Sequence, residues 1–474
     1  MKTRTVDLTI SSFSKKGNGL GTWISPQECS YTVEVPFTSP GDKVQVQIER
    51  KHSGVYPGKL EQIIEPSPDR ITPKCVHFGV CGGCRFQHLN YQKQLEYKSA
   101  FIKKCFAPFL ASDVELREMI PSPKEWEYRN KMEYSFSTDK AGKKYLGLII
   151  DSSQGKVLNL TECHLTHHWF IEALKTVRQW WHETGLEAYH MHKDSGSLRT
   201  LTVREGQRTG DRMVILTVSG NPDYAIHKKQ LETFIAFLRD TVEPVDPNCQ
   251  FSIFLRIQQA TKGMPTSMYE MLLYGQDHIR EDLVIDTPAQ SNKIRFHISP
   301  SAFFQPNSLQ AEKVYSHALI LAEATSEDVV YDLYCGTGAL GIAISKHVKQ
   351  VIGIELSPES SLDARENAKR NQCHNVTIMT GDVGKVLREE KLPKPNIVMV
   401  DPPRAGLDSH AVKHIVGLQP EKIVYVSCNP ITQAANIAEF VQQGYKVSVI
   451  QPIDQFPQTY HVENVVLLTQ NSGY

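Results

Sequence analysis

The chain has 474 residues, 40% of them hydrophobic and 22% charged, which is ordinary for a soluble protein and long enough for two or three domains. Its 52 Lys+Arg balance 52 Asp+Glu, so net charge announces no nucleic-acid partner, though a local basic groove is compatible with it. MKTRTVDLTISSF at the start has no apolar export core, and no apolar run approaches the ~20 residues that cross a bilayer. A cytoplasmic protein with no membrane partner is expected. Its ten cysteines are then reduced, ligating or catalytic rather than disulfide-bonded.

Residues 1–65 alternate short β-like runs with Gly/Pro/Ser turns: VDLTISSF, KGNGLGTWI, YTVEVPF, GDKVQVQIERK and GKLEQII. Five such strands predict a small OB-like β-barrel. Lys15, Lys16, Lys43, Arg50, Lys51 and Lys59 are scattered through it. RNA binding is the favoured reading, and a protein-binding module fits the same pattern. Residues 66–292 open with a Pro- and Cys-marked connector, SPDRITPKCVHFGVCGGCRFQHL, and continue as a mixed α+β region. YQKQLEYKSAFIKKCF and HLTHHWFIEALKTVRQWWHETG have helical patterns. WEYRNKMEYSF, KYLGLII and DRMVILTVSG read as strands.

Residues 293–474 differ in kind. VVYDLYC, VIGIEL, VTIMTGD, NIVMVDPP and KIVYVSC are apolar runs of strand length, mostly separated by helical patterns. This predicts a parallel sheet covered on both faces, in a Rossmann-like α/β domain. KVSVIQPI and ENVVLLTQ follow with little room for a crossover helix, so antiparallel pairing at or near the sheet edge is expected.

Ligands of such sheets bind beyond the carboxyl ends of the strands. There the chain places Asp332 and the Gly336-Thr337-Gly338 turn, then Glu355, Gly381-Asp382 and Asp401-Pro402-Pro403-Arg404. Gly336 to Gly341 also fits the dinucleotide fingerprint G-x-G-x-x-G. Asp332 before the turn and DPP after the fourth strand favour S-adenosylmethionine, whose carrier part has no phosphates to cradle.

Together these residues resemble a bacterial RNA uracil-5-methyltransferase, the 5-methyluridine family. SAFFQPN (Ser301 to Asn307), DLYCGTG (Asp332 to Gly338), Ile354-Glu355, DPPR, SCNP (Ser427 to Pro430) and FPQTYHVE (Phe456 to Glu463) stand in family order, with YRNK (Tyr128 to Lys131) upstream. The amino-terminal barrel resembles the TRAM domain of many members. The resemblance covers essentially the whole chain. It implies that Gln305, Tyr334, Glu355 and Asp401 contact S-adenosylmethionine, with Asp382 as a less central neighbour of the adenine. Ala339 and Pro306 depart from common family residues, and no contact is carried onto Ala339.

Carbon-5 of uracil is a poor nucleophile until a thiolate adds to carbon-6. Cys428 suits that role: it ends a strand on the ligand side, before the breaker Asn429-Pro430. In isolation, a strand-end cysteine reads as a small buried residue. The ordered motifs overturn that, and the resemblance implies that Glu463 is the base removing the carbon-5 proton. DPPR holds no cysteine of the kind typical of cytosine-5 enzymes, so uracil is the better substrate. His461 either orients a neighbour or packs, and Cys335 packs. Arg129 and Lys131 are expected to grip the RNA strand.

Cys75, Cys81 and Cys84 form C-x5-C-x2-C, with Cys163 far downstream. Spacing leaves zinc and an iron–sulfur cluster open. The resemblance implies a 4Fe–4S cluster on these four, structural rather than redox-catalytic. A barrel plus a cluster resembles the 23S ribosomal RNA enzymes most. A tRNA T-loop enzyme and a non-catalytic RNA-binding assembly factor are the alternatives. A monomer is the expected form.

Overall fold

The computed structural model describes residues 4–25, 28–50, 54–151, 153, 155–259, 266–288 and 290–471. Lys51 of the basic set lies outside them. Strands β1 (Arg4–Phe13), β2 (Gly19–Ile24), β3 (Ser30–Val35), β4 (Lys43–Ile48) and β5 (Tyr56–Glu65) close into a barrel ordered β1-β2-β3-β5-β4. β4 returns antiparallel to β1, and β3 meets β5 in parallel, an OB-type closure. Period-two alternation sends Leu8, Ile10, Val33, Val35, Val44, Val46 and Ile48 inward as its core.

After the connector comes helix α1 (Tyr91–Phe106), capped by the Asn90 side chain, which accepts from the Lys93 N–H at 2.9 Å. The two-residue strand β6 (Glu115–Leu116) follows. A six-stranded sheet comes next, built from β7 (Lys131–Thr138), β8 (Lys144–Gly147), β9 (Leu198–Glu205), β10 (Arg212–Ser219), β11 (Phe251–Gln259) and β12 (Ser267–Tyr274). Its order is β12-β11-β10-β9-β7-β8. Helices α2 (Trp169–Thr184) and α3 (Lys228–Val242) share its core through Phe170, Trp180, Trp181 and Phe234. The hairpin β13 (Ile279–Asp286) and β14 (Ser291–Ile298) then leads into α4 (Ser308–Ala322).

The carboxy-terminal part alternates β15 (Val329–Leu333), α5 (Ala339–Ile344), β16 (Gln350–Glu355), α6 (Pro358–Arg370), β17 (Val376–Thr380), α7 (Val383–Glu389), β18 (Ile397–Val400), α8 (Ser409–Gly417), β19 (Lys422–Ser427) and α9 (Pro430–Gln442). Strands β20 (Tyr445–Ile453) and β21 (Glu463–Gln470) close it. The sheet order is β17-β16-β15-β18-β19-β21-β20-β6. β15 to β19 are parallel, as their continuous apolar runs require. β21 inserts antiparallel between β19 and β20.

One segment departs from the sequence reading. α1 and β6 fall within 66–292, yet β6 is the outermost strand of the carboxy-terminal sheet. Ile102 and Phe106 of α1 are fully buried in the core beneath β15, β16, β18 and β19. The apolar stripe of α1 shows which face is buried, not which core it enters. Among the described residues no helix is long and apolar enough to cross a membrane.

Candidate active site

The cofactor end is built by backbone geometry. After β15 the chain turns through Tyr334 (φ 64°), Gly336 (φ 54°) and Gly338 (φ 82°). Left-handed backbone at a tyrosine is strained and persists only where neighbours hold it. Here the N–H groups of Tyr334 and Cys335 both donate to the Ile354 carbonyl, at 3.0 and 3.2 Å. The Gly336 N–H donates to Glu355 Oε2 at 3.0 Å and the Ser357 N–H to Glu355 Oε1 at 2.8 Å. The carboxylate is thereby fixed beside the turn, with lone pairs left over for a pair of hydroxyls. Asp332 is buried. Its Oδ2 accepts from the Gly341 N–H at 2.8 Å, and its Oδ1 has no partner. Burial raises its pKa to about 7. A Cβ on Gly341 would stand 2.9 Å from Asp332 Oδ2, so this glycine lets helix and carboxyl approach. Asp382 is placed differently: it is exposed and caps α7, accepting from the Lys385 N–H at 2.9 Å.

Gln305 is buried in the loop between β14 and α4. The Gln455 amide donates to its Oε1 at 3.3 Å, and its own amide reaches Asp401 and Tyr315. The Asn130 side chain donates to the Gln305 carbonyl and to Ser308 Oγ, both at 2.9 Å, and Ser308 Oγ donates to Glu281 Oε2 at 2.6 Å. The central sheet thus grips the cofactor loop through a residue of YRNK. Sequence reasoning passed over Asn130, a neutral residue between two cations. Arg129 instead lines the cysteine cavity, and Lys131 is half-buried, its pKa lowered by burial to about 8.

The thiol end is set by strand register. Ser427 of β19 pairs with Asn464 of β21. Cys428 follows the one and Glu463 precedes the other, so antiparallel pairing brings them to the same end of adjacent strands. Asp401 ends β18 on the other side of β19. Cys428 opens onto a cavity of about 320 Å³ with Lys15, Phe101, Arg404, Ile431, Tyr460 and His461 in its walls. Asn429 caps α9, and its side chain donates to the Arg404 carbonyl at 2.9 Å, clamping SCNP onto DPPR. Arg404 also lies 3.5 Å from His461 Nε2.

Burial dominates the electrostatics. It raises the Cys428 thiol to about 11; Glu463 and Asp401 push the same way, and Arg404 alone opposes them. Glu463, 2% exposed, is raised well above the ordinary carboxyl range by burial and then by Asp401, and its Oε2 has no partner. Burial lifts Asp401 to about 7, against a hydrogen bond from Gln305. It holds His461 neutral, at about 3. Arg404, quoted in its motif but given no role, is the one cation that lowers the Cys428 thiol.

Cys75, Cys81, Cys84 and Cys163 line one cavity of about 580 Å³. All four are free thiols, raised first by burial; Cys75 stands at about 11 and Cys84 at about 12. Among the described residues no three His, Cys, Asp or Glu are arranged to hold a metal ion. A lone ion needs its donors ~2.3 Å from one point, and these thiols do not converge that far. The four cysteines surround one cavity, and Arg85 and Arg129 oppose the charge of Cys81 and Cys163.

The connector is tied to the loop before Glu463. The Arg85 and Phe86 N–H groups donate to the Gln458 carbonyl at 2.9 and 3.0 Å, and Tyr128 Oη donates to the Pro457 carbonyl at 2.9 Å. Lys98 of α1 donates to Asp454 Oδ1 at 2.6 Å and to the Phe456 carbonyl at 3.0 Å, fully buried.

A family model described as tRNA (uracil-5-)-methyltransferase matches residues 264–471. An uncharacterized RNA methyltransferase of Protochlamydia amoebophila is 54% identical, over 92% of this chain and all of that protein. One of Chlamydia trachomatis is 38% identical, over 84% and 98%. The Pyrococcus abyssi tRNA (uracil-54, C5)-methyltransferase, solved with S-adenosyl-L-homocysteine, superposes with a TM-score of 0.73 at 26% identity, covering 98% of this chain and all of that one. A Rossmann-like methyltransferase fold with these residues at its strand ends defines an S-adenosylmethionine-dependent RNA methyltransferase. More narrowly, the chain belongs to the RNA uracil-5-methyltransferase family.

Proposed function

We propose that the protein methylates carbon-5 of a uridine in 23S ribosomal RNA through a covalent adduct on Cys428. The observation that carries the chemistry is the β19–β21 register, which sets Cys428 and Glu463 side by side next to Asp401 and Arg404. Cys428 loses its proton to solvent, and Arg404 stabilises the thiolate. The sulfur bonds to carbon-6 of the uracil, and the electron pair of the 5,6-double bond moves to carbon-5. S-adenosylmethionine, held by Gln305, Tyr334, Glu355 and Asp401 with Asp382 at the margin, is the methyl donor: carbon-5 bonds to the methyl group as its bond to the donor sulfur breaks, and S-adenosylhomocysteine leaves. Glu463, acting in its carboxylate form, takes the carbon-5 proton, the double bond re-forms and the carbon–sulfur bond breaks, restoring the cysteine.

The amino-terminal barrel serves as a TRAM-type RNA-binding domain. Cys75, Cys81, Cys84 and Cys163 hold a 4Fe–4S cluster whose role is structural, since methyl transfer moves no electron pair to or from a metal. The support is their shared cavity and the hydrogen bonds from Arg85 and Phe86 to the loop that leads into Glu463. The protein acts as a cytoplasmic monomer.

A transfer-RNA target is the second reading, favoured by the likeness to the Pyrococcus abyssi enzyme. That likeness spans 98% of this chain and so includes the barrel, which therefore does not separate the two RNAs. The test is methylation of unmodified 23S ribosomal RNA and of unmodified tRNA, followed by nuclease digestion and mass spectrometry. 5-Methyluridine in the 23S digest alone is expected. 5-Methyluridine in the tRNA digest alone replaces the target and keeps the chemistry; a methyl group on an exocyclic amine contradicts both.

A further inference from the structure

Beside the Cys428 cavity lies a second one, of about 590 Å³, between the barrel and α1, within the ~300–1,000 Å³ of small-molecule sites. One wall is the end of β1 and its turn, Phe13 to Gly17. The other is one face of α1: Tyr97, Phe101, Lys104 and Cys105 stand at i, i+4, i+7 and i+8. Ile431 and Tyr460 form the floor.

Three observations give it an occupant. First, Lys15, Phe101, Ile431 and Tyr460 line both this cavity and that of Cys428, so the two adjoin. Second, no acidic residue lines it, while Lys15 and Lys104 do; neither they nor Lys16 at the shared rim is ion-paired among the described residues. Third, the barrel turn is seated rather than loose. Gly17 (φ 73°) lies so close to the catalytic loop that a Cβ there would stand 2.7 Å from Tyr460 Cβ and 3.2 Å from Phe86 Cε1, and Phe13 packs edge-on to Tyr97 at 4.7 Å. An aromatic, cation-rimmed cleft that adjoins the cavity of a thiol aimed at a pyrimidine suits the next stretch of the same strand: bases stack on rings, and phosphates meet lysines.

We propose that this cleft is a second nucleotide site, which takes one unstacked base adjoining the target uridine against Phe101 and Tyr460, with the strand's phosphates on Lys15, Lys16 and Lys104. This rests on the reading that Cys428 attacks a uridine of an RNA strand. The site lets the barrel take part in choosing the sequence context, rather than add only general affinity.

The test starts from the RNA that forms a Cys428 adduct when its uridines are replaced by 5-fluorouridine, and from a short RNA spanning the mapped position. Single abasic riboses are placed at each of the two neighbours on either side, and KM and kcat are measured for the wild type, Phe101→Ala and Phe101→Leu. S-adenosylmethionine binding by each variant, measured by calorimetry, serves as the folding control. One abasic position is expected to raise KM by ~10-fold with kcat nearly unchanged. Phe101→Ala should raise KM by a similar factor on intact RNA and add no further loss at that position, and Phe101→Leu should behave likewise, because it keeps bulk but not the ring. Equal KM values for all abasic RNAs, or losses that multiply, would overturn the second site while the adduct stands. Absence of any Cys428 adduct would overturn both it and the reading beneath it.

Discussion

The two ends of the site are built in opposite ways. Around β15 and β16 the protein satisfies most of its own polar groups: both oxygens of Glu355 accept backbone N–H groups and a strained Tyr334 is tied to Ile354, with Asp332 Oδ1 the exception. Around β18, β19 and β21 it does not. Burial raises Cys428, Glu463 and Asp401 together, and Glu463 Oε2 has no partner. The first end is largely satisfied by its own backbone. The second gathers three raised acids beside an unpaired carboxyl oxygen, which is costly to keep and is common where chemistry occurs. The comparison also shows that a raised thiol pKa is no mark of a nucleophile. Cys75 and Cys84 of the connector are raised at least as far as Cys428, and what differs is their company: chiefly other thiols in one case, Arg404 with two carboxyls in the other.

Substitutions at the thiol end should break chemistry and leave the cofactor end intact. Cys428→Ala abolishes methylation while calorimetry still finds S-adenosylmethionine binding; lost binding would show that the two ends are not separate. Glu463→Gln lowers turnover by ~10²–10⁴-fold. Because release needs the carbon-5 proton removed, a covalent RNA–protein complex should accumulate on ordinary uridine RNA and appear as a shifted band on a denaturing gel. Lys98→Ala strands Asp454 in the interior and destabilises the protein by ~3–5 kcal/mol, read as a lower urea midpoint, because the loop before Glu463 depends on α1.

Proton-dependent effects are smaller. The reactive form of Cys428 is the thiolate and its pKa stands at about 11, so the single-turnover rate rises with pH above 7. Arg404→Met removes the group that lowers this pKa, which shifts the profile upward and costs ~10-fold at pH 7; an unchanged profile would remove Arg404 from the account. Asp401 carries a raised pKa, about 7 against ~3.9 unfolded. Its stabilising share is complete below ~3.9 and lost as pH rises through about 7. Asp401→Asn escapes that loss. The ligand-free variant should gain on the order of 1 kcal/mol over wild type at pH 8 and nothing near pH 4, by thermal melts.

What the sequence made legible was local. Period-two alternation marked the barrel, apolar runs marked the parallel strands, and glycine turns and acids at strand ends marked the cofactor side, because each is a property of a few consecutive residues. What escaped depends on distant partners. The entry of α1 and β6 into the carboxy-terminal sheet and the grip of Asn130 on the Gln305 loop are decided by packing between segments far apart in the chain. Arg404 stood in a quoted motif, yet its role needed the Asn429 clamp to become visible.

The most direct measurement is peptide mass spectrometry of the complex formed with S-adenosylmethionine and 5-fluorouridine-substituted RNA. Fluorine at carbon-5 does not leave as a proton, so the intermediate cannot release its enzyme. The account predicts a denaturation-resistant adduct on the peptide containing Cys428, absent from Cys428→Ala. Methylation without any adduct, or an adduct on another cysteine, would contradict it.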